Sequence, residues 1–417
     1  MHLIKERRFI KSKIFVLLVI FLVWLIADNI LEFVFPLYMD KLQKSYLEIG
    51  IILSLASVSG VIFDMPFGSL SDRVSKKKLM LYGLFMLIIT SISIFLLKGN
   101  VALALIFLAW GVAFQVWRVP FDAKFAAETK ELNRAKSYGM YNEMKYIGFV
   151  LGPLIGGFLV MWLGFKGIYL TYSALVLVAI LLIVIFIKET NKRSLVKGIE
   201  SSITPKTFFS DLKFIVYFGF FGILLLFFSL LFTVWEEIML AFGPLFYTDV
   251  LKISPGLGGI LMACFSLPAV FLSYYFGRLA DRTGKKRILI IGLIVTGTSL
   301  IAFSYTQTLV PLFALALATS IGLSLSIPAL SGLMIDLSYK LPKGKVVGIW
   351  DFFFDAGYVI GPVLGGLLAS SVGIRNTFMI TGVAFILSCF LFLIVPEQKV
   401  MKEDLKQIKS NKQYKKS

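Results

Sequence analysis

Asp28 and Glu32 stand four residues apart inside a stretch, Ile14 to Tyr38, that is otherwise apolar, and Glu236 and Glu237 sit side by side in a second such stretch. If these stretches are helical, Asp28 and Glu32 share one face. A carboxylate in hydrocarbon costs a few kcal/mol or more, so it faces a bundle interior or a water path, where it can hold a proton or attract a cation. Glu32 and Glu236 have a second reading, as solvated charges near a helix end. Arg118, with Asp122 one turn on, is the basic candidate: it binds an anionic group or closes an i,i+4 ion pair. Asp351, Asp355, Glu143 and Lys145 are further charges in apolar surroundings, suited to inner gate pairs or to ordinary salt bridges between halves. Phe33, Phe35, Trp235 and Met239 lie near the acids and suggest a greasy, acid-lined cavity fit for lipophilic cations.

Such charges need an apolar scaffold, and composition supplies it. Of 417 residues, 58% are hydrophobic and 16% charged, against roughly 45–50% and about 25% in a soluble domain. Forty Phe and 34 Gly fit a helical membrane protein, since Phe partitions into lipid and Gly lets helix backbones approach. The parts of an enzyme are missing: the sole histidine is His2, there is no HExxH, no GxxxxGK phosphate loop and no nucleophile paired with a base. Cys264 and Cys389 both fall in apolar runs and support neither a disulfide nor a metal site. No cofactor or metal is expected.

Twelve runs are long enough to cross a bilayer, which takes about 20 apolar residues. They cover 14–38, 47–70, 79–97, 101–127, 138–162 and 167–187, then 214–247, 256–280, 287–304, 309–335, 346–370 and 374–395. These twelve spans define an all-α membrane protein, with a six-helix half at 1–187, a polar linker at 188–213, a second six-helix half at 214–395 and a basic tail at 396–417. The first span is too long for a cleaved signal peptide, whose apolar core has about 7–15 residues. Thirty-three of the 42 Lys and Arg fall in the tails and alternate loops on one side and six on the other, with Arg118, Lys124 and Lys145 inside helices. By the positive-inside rule both termini are cytoplasmic. The same asymmetry accounts for the formal charge of +18 without nucleic acid as a partner. The expected partners are the lipid bilayer and a small-molecule substrate, and the chain is expected to be monomeric.

The halves repeat at a constant offset of 209 residues. Gly68, Leu70, Asp72 and Arg73 map onto Gly277, Leu279, Asp281 and Arg282, and Gly148, Gly152, Pro153, Gly156 and Gly157 onto Gly357, Gly361, Pro362, Gly365 and Gly366. Gly50 pairs with Gly259, Asp40 with Asp249, Gly139 with Gly348, and Asp28 with Glu237. Parallel repeats of this kind, with substrate bound between them near mid-membrane, are one architecture of membrane carriers.

The segment from Gly68 through Asp72, Arg73 and Lys76 to Lys78, and its copy from Gly277 through Asp281, Arg282 and Gly284 to Arg287, resemble the GxLaDrxGrkxx signature of the major facilitator superfamily. The resemblance extends over essentially the whole chain, with Ser75 in place of the usual Gly in the first copy. It implies two pseudo-symmetric six-helix bundles and a cytoplasmic latch made by Asp72 and Lys76 when the carrier faces outward. Asp122 or Glu128 on the fourth span would complete that latch. Asp64, one turn before the signature, resembles the acid-x-Pro-x-Gly run of some members. The block from Gly148 to Gly157, repeated from Gly357 to Gly366, resembles the GxxxGPxxGG motif associated with antiporters of the superfamily. Proline kinks a helix and glycines at helical spacing give a smooth packing face.

Taken together, these features lead to the expectation of a proton-coupled exporter of a lipophilic or cationic molecule in the cell membrane, driven by the proton gradient. In it Asp28, Glu32 and one of Glu236 or Glu237 bind substrate and proton by turns. Uptake of a small nutrient such as a sugar or organic acid is the competing expectation, and a non-transporting receptor or scaffold on the same fold is a remote one.

Overall fold

A computed structural model of the protein describes residues 13–129, 134–188, 218–337 and 343–394. Apart from Lys188, the linker and the basic tail lie outside them, as do the side chains of Asp64, Asp72 and Arg73. The described chain is helical throughout. It comprises α1 (Lys13–Lys41), α2 (Tyr46–Arg73), α3 (Lys76–Leu96), α4 (Asn100–Glu128), α5 (Arg134–Phe186), α6 (Gly219–Leu245), α7 (Pro255–Cys264), α8 (Leu267–Thr283), α9 (Lys285–Tyr305), α10 (Leu309–Leu337), α11 (Lys343–Val372) and α12 (Ile374–Ile394).

Spans and helices do not correspond one to one. Among the described residues eleven stretches are long and apolar enough to cross a membrane, and one of them, Lys136–Phe186, has 51 residues. At 1.5 Å per residue that is roughly 75 Å, more than twice the ~30 Å of hydrocarbon. It reverses at Gly164, whose φ of 62° breaks the helix into two arms and makes the crossings twelve. Gly373, 209 residues later, makes the same turn between α11 and α12 with φ 84°. Span eight, expected as one helix, is broken at Phe265 and Ser266 into α7 and α8. Pro268 sits in the first turn of α8, where its missing N–H leaves no helical bond unmade. Span seven ends in a π-helical turn, Phe246–Val250.

Local chemistry repeats with the sequence. Ser45 and Ser254, again 209 apart, are the N-caps of α2 and α7, with φ/ψ of −65°/156° and −65°/151°. Each side chain accepts from the backbone N–H three residues on, and Ser45 adds a full capping box with Glu48. The signature motifs, expected in loops, lie largely in helix: Asp72 and Arg73 fall in the last turn of α2, and Asp281 and Arg282 in the last turn of α8. The turns that follow differ. Gly284 has φ 108°, a conformation L side chains rarely adopt, while Ser75 has φ −59° and caps α3 through its hydroxyl.

The two arms of α5 and helices α1 to α4 form one bundle, and α6 to α12 the other. We call the end bearing the Gly68–Lys78 and Gly277–Arg287 segments the signature end and the opposite one the distal end. Exposed large apolar side chains such as Leu105, Leu181 and Phe390 cover the perimeter, as a lipid-facing surface requires.

Candidate functional site

The bundles meet tightly at the distal end, and the glycine blocks explain how. Gly148, Gly152 and Gly156 lie against Leu25, Asn29 and Ile30 of α1, and Gly357, Gly361 and Gly365 lie likewise against Thr233, Glu237 and Ile238 of α6. The remaining positions reach the other bundle. The Pro153 carbonyl and Gly157 approach Gly259 of α7, and the Pro362 carbonyl and Gly366 approach Gly50 of α2. At each of these crossings a Cβ on the glycine would strike backbone, so the seam is closed by main chain against main chain. The Gly256 amide also donates to Met161 Sδ across this seam at 3.3 Å.

Toward the signature end the bundles part around a cavity of about 640 Å³. Asp28 and Glu32 from α1 and Glu236 and Glu237 from α6 all line it, so the four acids singled out in the sequence converge. The surface reading of Glu32 and Glu236 therefore does not hold. Asp351 and Asp355 of α11 add two carboxylates, and Arg118 of α4 and Lys145 of α5 supply the cations. Glu143, two residues from both Tyr141 and Lys145, is exposed and does not line the cavity. Along the helices Asp28 lies about 22 Å and Glu236 about 25 Å in from the signature end, deep in the bilayer. Arg118 and Asp122 sit roughly 10 Å nearer that end. Their side chains are 45% and 41% exposed, so the cavity opens on that side.

Several of its acceptors lack a donor among the described residues. Asp28 is 5% exposed, yet its Oδ1 has no hydrogen-bond partner. The Asn29 Oδ1 and Gln115 Oε1 atoms in the same wall are also unpaired, although the Asn29 amide is held by the Leu25 carbonyl at 2.8 Å. Nor do Glu32, Glu236 or Glu237 make an ion pair within 4.0 Å among the described residues. Buried acceptors of this kind are stabilised by a proton, a water or a cation. Arg118 pairs with Asp122 at 3.5 Å and lies over the Phe114 ring, while Asp122 accepts from the Tyr141 hydroxyl at 2.8 Å.

The apolar lining differs from expectation. Of the four residues picked from the sequence, only Phe35 lines the cavity; Phe33, Trp235 and Met239 are buried in the packing of their own bundles, at 2%, 4% and 2% exposure. On α6 the cause is rotation by 100° per residue: Glu236 and Glu237 face the seam, which turns Trp235 toward Phe265 and Phe385. The aromatic wall comes instead from Phe21, Trp24, Phe107, Trp110, Phe354 and Tyr358. Neighbouring polar residues could have signalled part of it, since Gln115 falls one turn before Arg118 and Tyr358 one turn after Asp355.

At the signature end several latch residues have partners within their own bundles. Lys76 donates to the Ser71 carbonyl at 2.8 Å. Glu128 holds Lys124 at 2.8 Å and Lys13 at 3.3 Å, tying α4 to α1. In the second copy Lys285 bridges Asp281 at 3.8 Å and Asp336 of α10 at 2.8 Å. Gly277 lies beside Pro328 of α10, whereas nothing crowds Gly68; Arg282 is exposed.

Comparison with known proteins agrees with this architecture. A family profile described as Major Facilitator Superfamily matches residues 16–242 and 225–416. A multi-drug resistance efflux pump, PmrA of Streptococcus pneumoniae, is 22% identical over 368 residues, covering 86% of this chain and 90% of the pump. A bacterial homolog of the human lysosomal transporter Spinster, in an inward-facing and unoccupied conformation, superposes with a TM-score of 0.72 at 16% identity, over 91% of this chain and 95% of that one. The nucleoside transporter NupG gives 0.72 at 14% identity, over 91% and 98%.

Proposed function

The chain belongs to the major facilitator superfamily, and on that premise we propose that it exports lipophilic or cationic small molecules across the cell membrane in exchange for protons. The observation that carries this reading is the convergence of Asp28, Glu32, Glu236 and Glu237, two from each bundle, in an aromatic-walled cavity where they have no ion-pair partner among the described residues. An aromatic wall binds a flat or greasy cation by dispersion and by cation–π attraction. The carboxylates supply the charge that a cation needs once it has left water, and a proton supplies the same neutralisation when the cation is gone. Substrate and proton thus exclude each other, which is the requirement for exchange. The efflux pump PmrA at 22% identity supports export.

With the signature end toward the cytoplasm, as the distribution of Lys and Arg asks, the cavity opens inward and the glycine seam shuts the outer side. Substrate loads from the cell interior. Separation of the seam, with closure of the latch around Asp72, Lys76, Asp281 and Lys285, then presents it outward, where a proton displaces it.

The test is flux of ethidium through purified protein in liposomes with an imposed pH gradient. The expected result is movement against the proton flow, reduced at least tenfold in Asp28→Asn and in Glu237→Gln. Unchanged proton-driven flux in both variants removes these acids from the mechanism, and movement of a solute together with protons establishes uptake instead.

A further inference from the structure

The mechanism above uses neither cavity cation; Arg118 is paired with Asp122, which leaves Lys145. It lines the main cavity and also a smaller one of about 230 Å³, bounded by Arg118, Asp122, Phe125, Tyr138 and Tyr141, so it stands between the mouth and the deep acids. The other in-helix lysines near the signature end are each fixed by a partner: Lys124 by Glu128 at 2.8 Å, Lys285 by Asp336 at 2.8 Å, Lys76 by the Ser71 carbonyl at 2.8 Å. Lys145 makes no hydrogen bond or ion pair within 4.0 Å among the described residues. The charged groups whose field it feels are Arg118 and Asp122 on its own side and Glu236 across the seam. Glu236 in turn makes no ion pair within 4.0 Å among the described residues. The repeat gives Lys145 no counterpart, since 209 residues on stands Phe354. A positive charge on one wall therefore faces a negative one on the other, and a lysine stem is long and flexible enough to close part of the gap.

We propose that Lys145 is a tethered rival to the transported cation: its ammonium occupies the field of Glu236 and the neighbouring acids in the empty cavity, yields to substrate, and so sets how much positive charge the cavity accepts. This rests on the cavity being a cation site. It adds that selectivity for charge number resides in one residue on α5.

The consequence is quantitative. Removing one positive charge from the wall changes the interaction with a ligand in proportion to the ligand's own charge. A neutral ligand is unaffected, a monovalent cation gains by some factor, and a divalent cation of the same shape gains by that factor squared. A factor of about ten corresponds to unit charges roughly 12 Å apart at an effective dielectric near 20, the separation left once the ammonium has swung away from the bound cation.

A matched series tests this: 4-phenylpyridine, neutral at pH 7.5, N-methyl-4-phenylpyridinium with one charge, and N,N′-dimethyl-4,4′-bipyridinium with two. Binding of each to the purified full-length protein is measured by calorimetry for the wild type, Lys145→Met and Lys145→Arg. The expected result for Lys145→Met is unchanged affinity for the neutral compound, about tenfold tighter binding of the monocation and about a hundredfold of the dication, with Lys145→Arg close to the wild type. Lys145→Gln serves as a second neutral variant if Lys145→Met does not elute as a single folded species. Adding Glu236→Gln to the neutral variant is expected to restore the wild-type ladder. Equal changes for all three compounds, or none, overturn the role of Lys145 while leaving the cation reading in place. A wild type that binds neither charged compound overturns both.

Discussion

The distal seam and the cavity are built from the same twelve spans but follow opposite rules. At the seam the repeat holds almost residue for residue: Gly50 meets Pro362 and Gly366 as Gly259 meets Pro153 and Gly157, and Ser45 and Ser254 start the helices that carry those glycines. Among the charged residues of the cavity it holds only for Asp28 and Glu237. The counterparts of Glu32, Arg118 and Lys145 are Ala241, Ile327 and Phe354. Closure asks only for shape, which a repeated backbone supplies twice over. Recognition of one substrate needs an asymmetric set of charges, and divergence between the halves supplies that.

The sharpest way to break the comparison is to add side chains to the seam. Gly259→Val and Gly50→Val place branched carbons onto the carbonyls of Pro153 and Pro362 across a contact with no slack. We expect each to lower ethidium flux at least tenfold, corresponding to 1.4 kcal/mol or more, by holding the distal end apart. A cysteine placed at Phe35, in the cavity wall, then becomes reactive to an impermeant thiol reagent from outside. Full flux in both variants would mean that the seam is not a gate. The cavity calls for the opposite kind of perturbation, in charge and not in volume. Protonation neutralises Asp28, Glu32, Glu236 and Glu237, so binding of ethidium is expected to weaken as pH falls, by about tenfold or more for each charge lost within roughly 12 Å of the ligand at an effective dielectric near 20. In a combined Asp28→Asn, Glu237→Gln variant the dependence flattens. A wild-type affinity that is level between pH 5.5 and 8 would separate proton and substrate sites.

The contrast also explains what the sequence disclosed. The seam was legible because close backbone packing admits glycine almost alone, and a constant offset made the pattern visible twice. The acids were legible because a carboxylate in an apolar run has few places to be. The aromatic wall was not. Forty Phe are spread through the chain, and whether Phe33 or Phe35 faces the cavity depends on helix rotation that composition does not record. The break in span eight was missed for a related reason: Pro268 reads as a kink within a helix or as the start of a new one, and packing decides. Gly284 and Ser75 show a third case, where one substitution between repeats signals that two turns at equivalent places take different backbone paths.

That difference can be sharpened. Gly284→Ala forces a side chain onto φ 108°, which is expected to cost about 2 kcal/mol and to lower the temperature at which half the protein leaves the monomer peak. Ser75→Gly, which makes the first turn like the second, loses only a hydroxyl cap and is expected to cost a few tenths of a kcal/mol. Equal losses would mean that the two turns are interchangeable and that the local asymmetry carries no energy.

The smallest effect separates the two halves of the seam itself. Ser45 and Ser254 have nearly the same backbone angles, but their surroundings differ: the Glu48 carboxylate accepts from the Ser45 amide at 2.8 Å, while Pro255 already presets the first helical residue after Ser254. In Ser45→Ala the hydroxyl that Glu48 N–H donates to is lost and so is the Glu48 contact with Ser45 Oγ, so the expected cost is about 1 kcal/mol. In Ser254→Ala only the bond from the Leu257 amide is lost, at 3.4 Å, and proline keeps the helix start in place, so about half that cost is expected. Thermal stability of the two variants in the same detergent measures the order. If Ser254→Ala proves the more damaging, the two gates at the distal end do not share the load as their geometry indicates, and the α5–α7 crossing, next to the broken span, is the one on which closure depends.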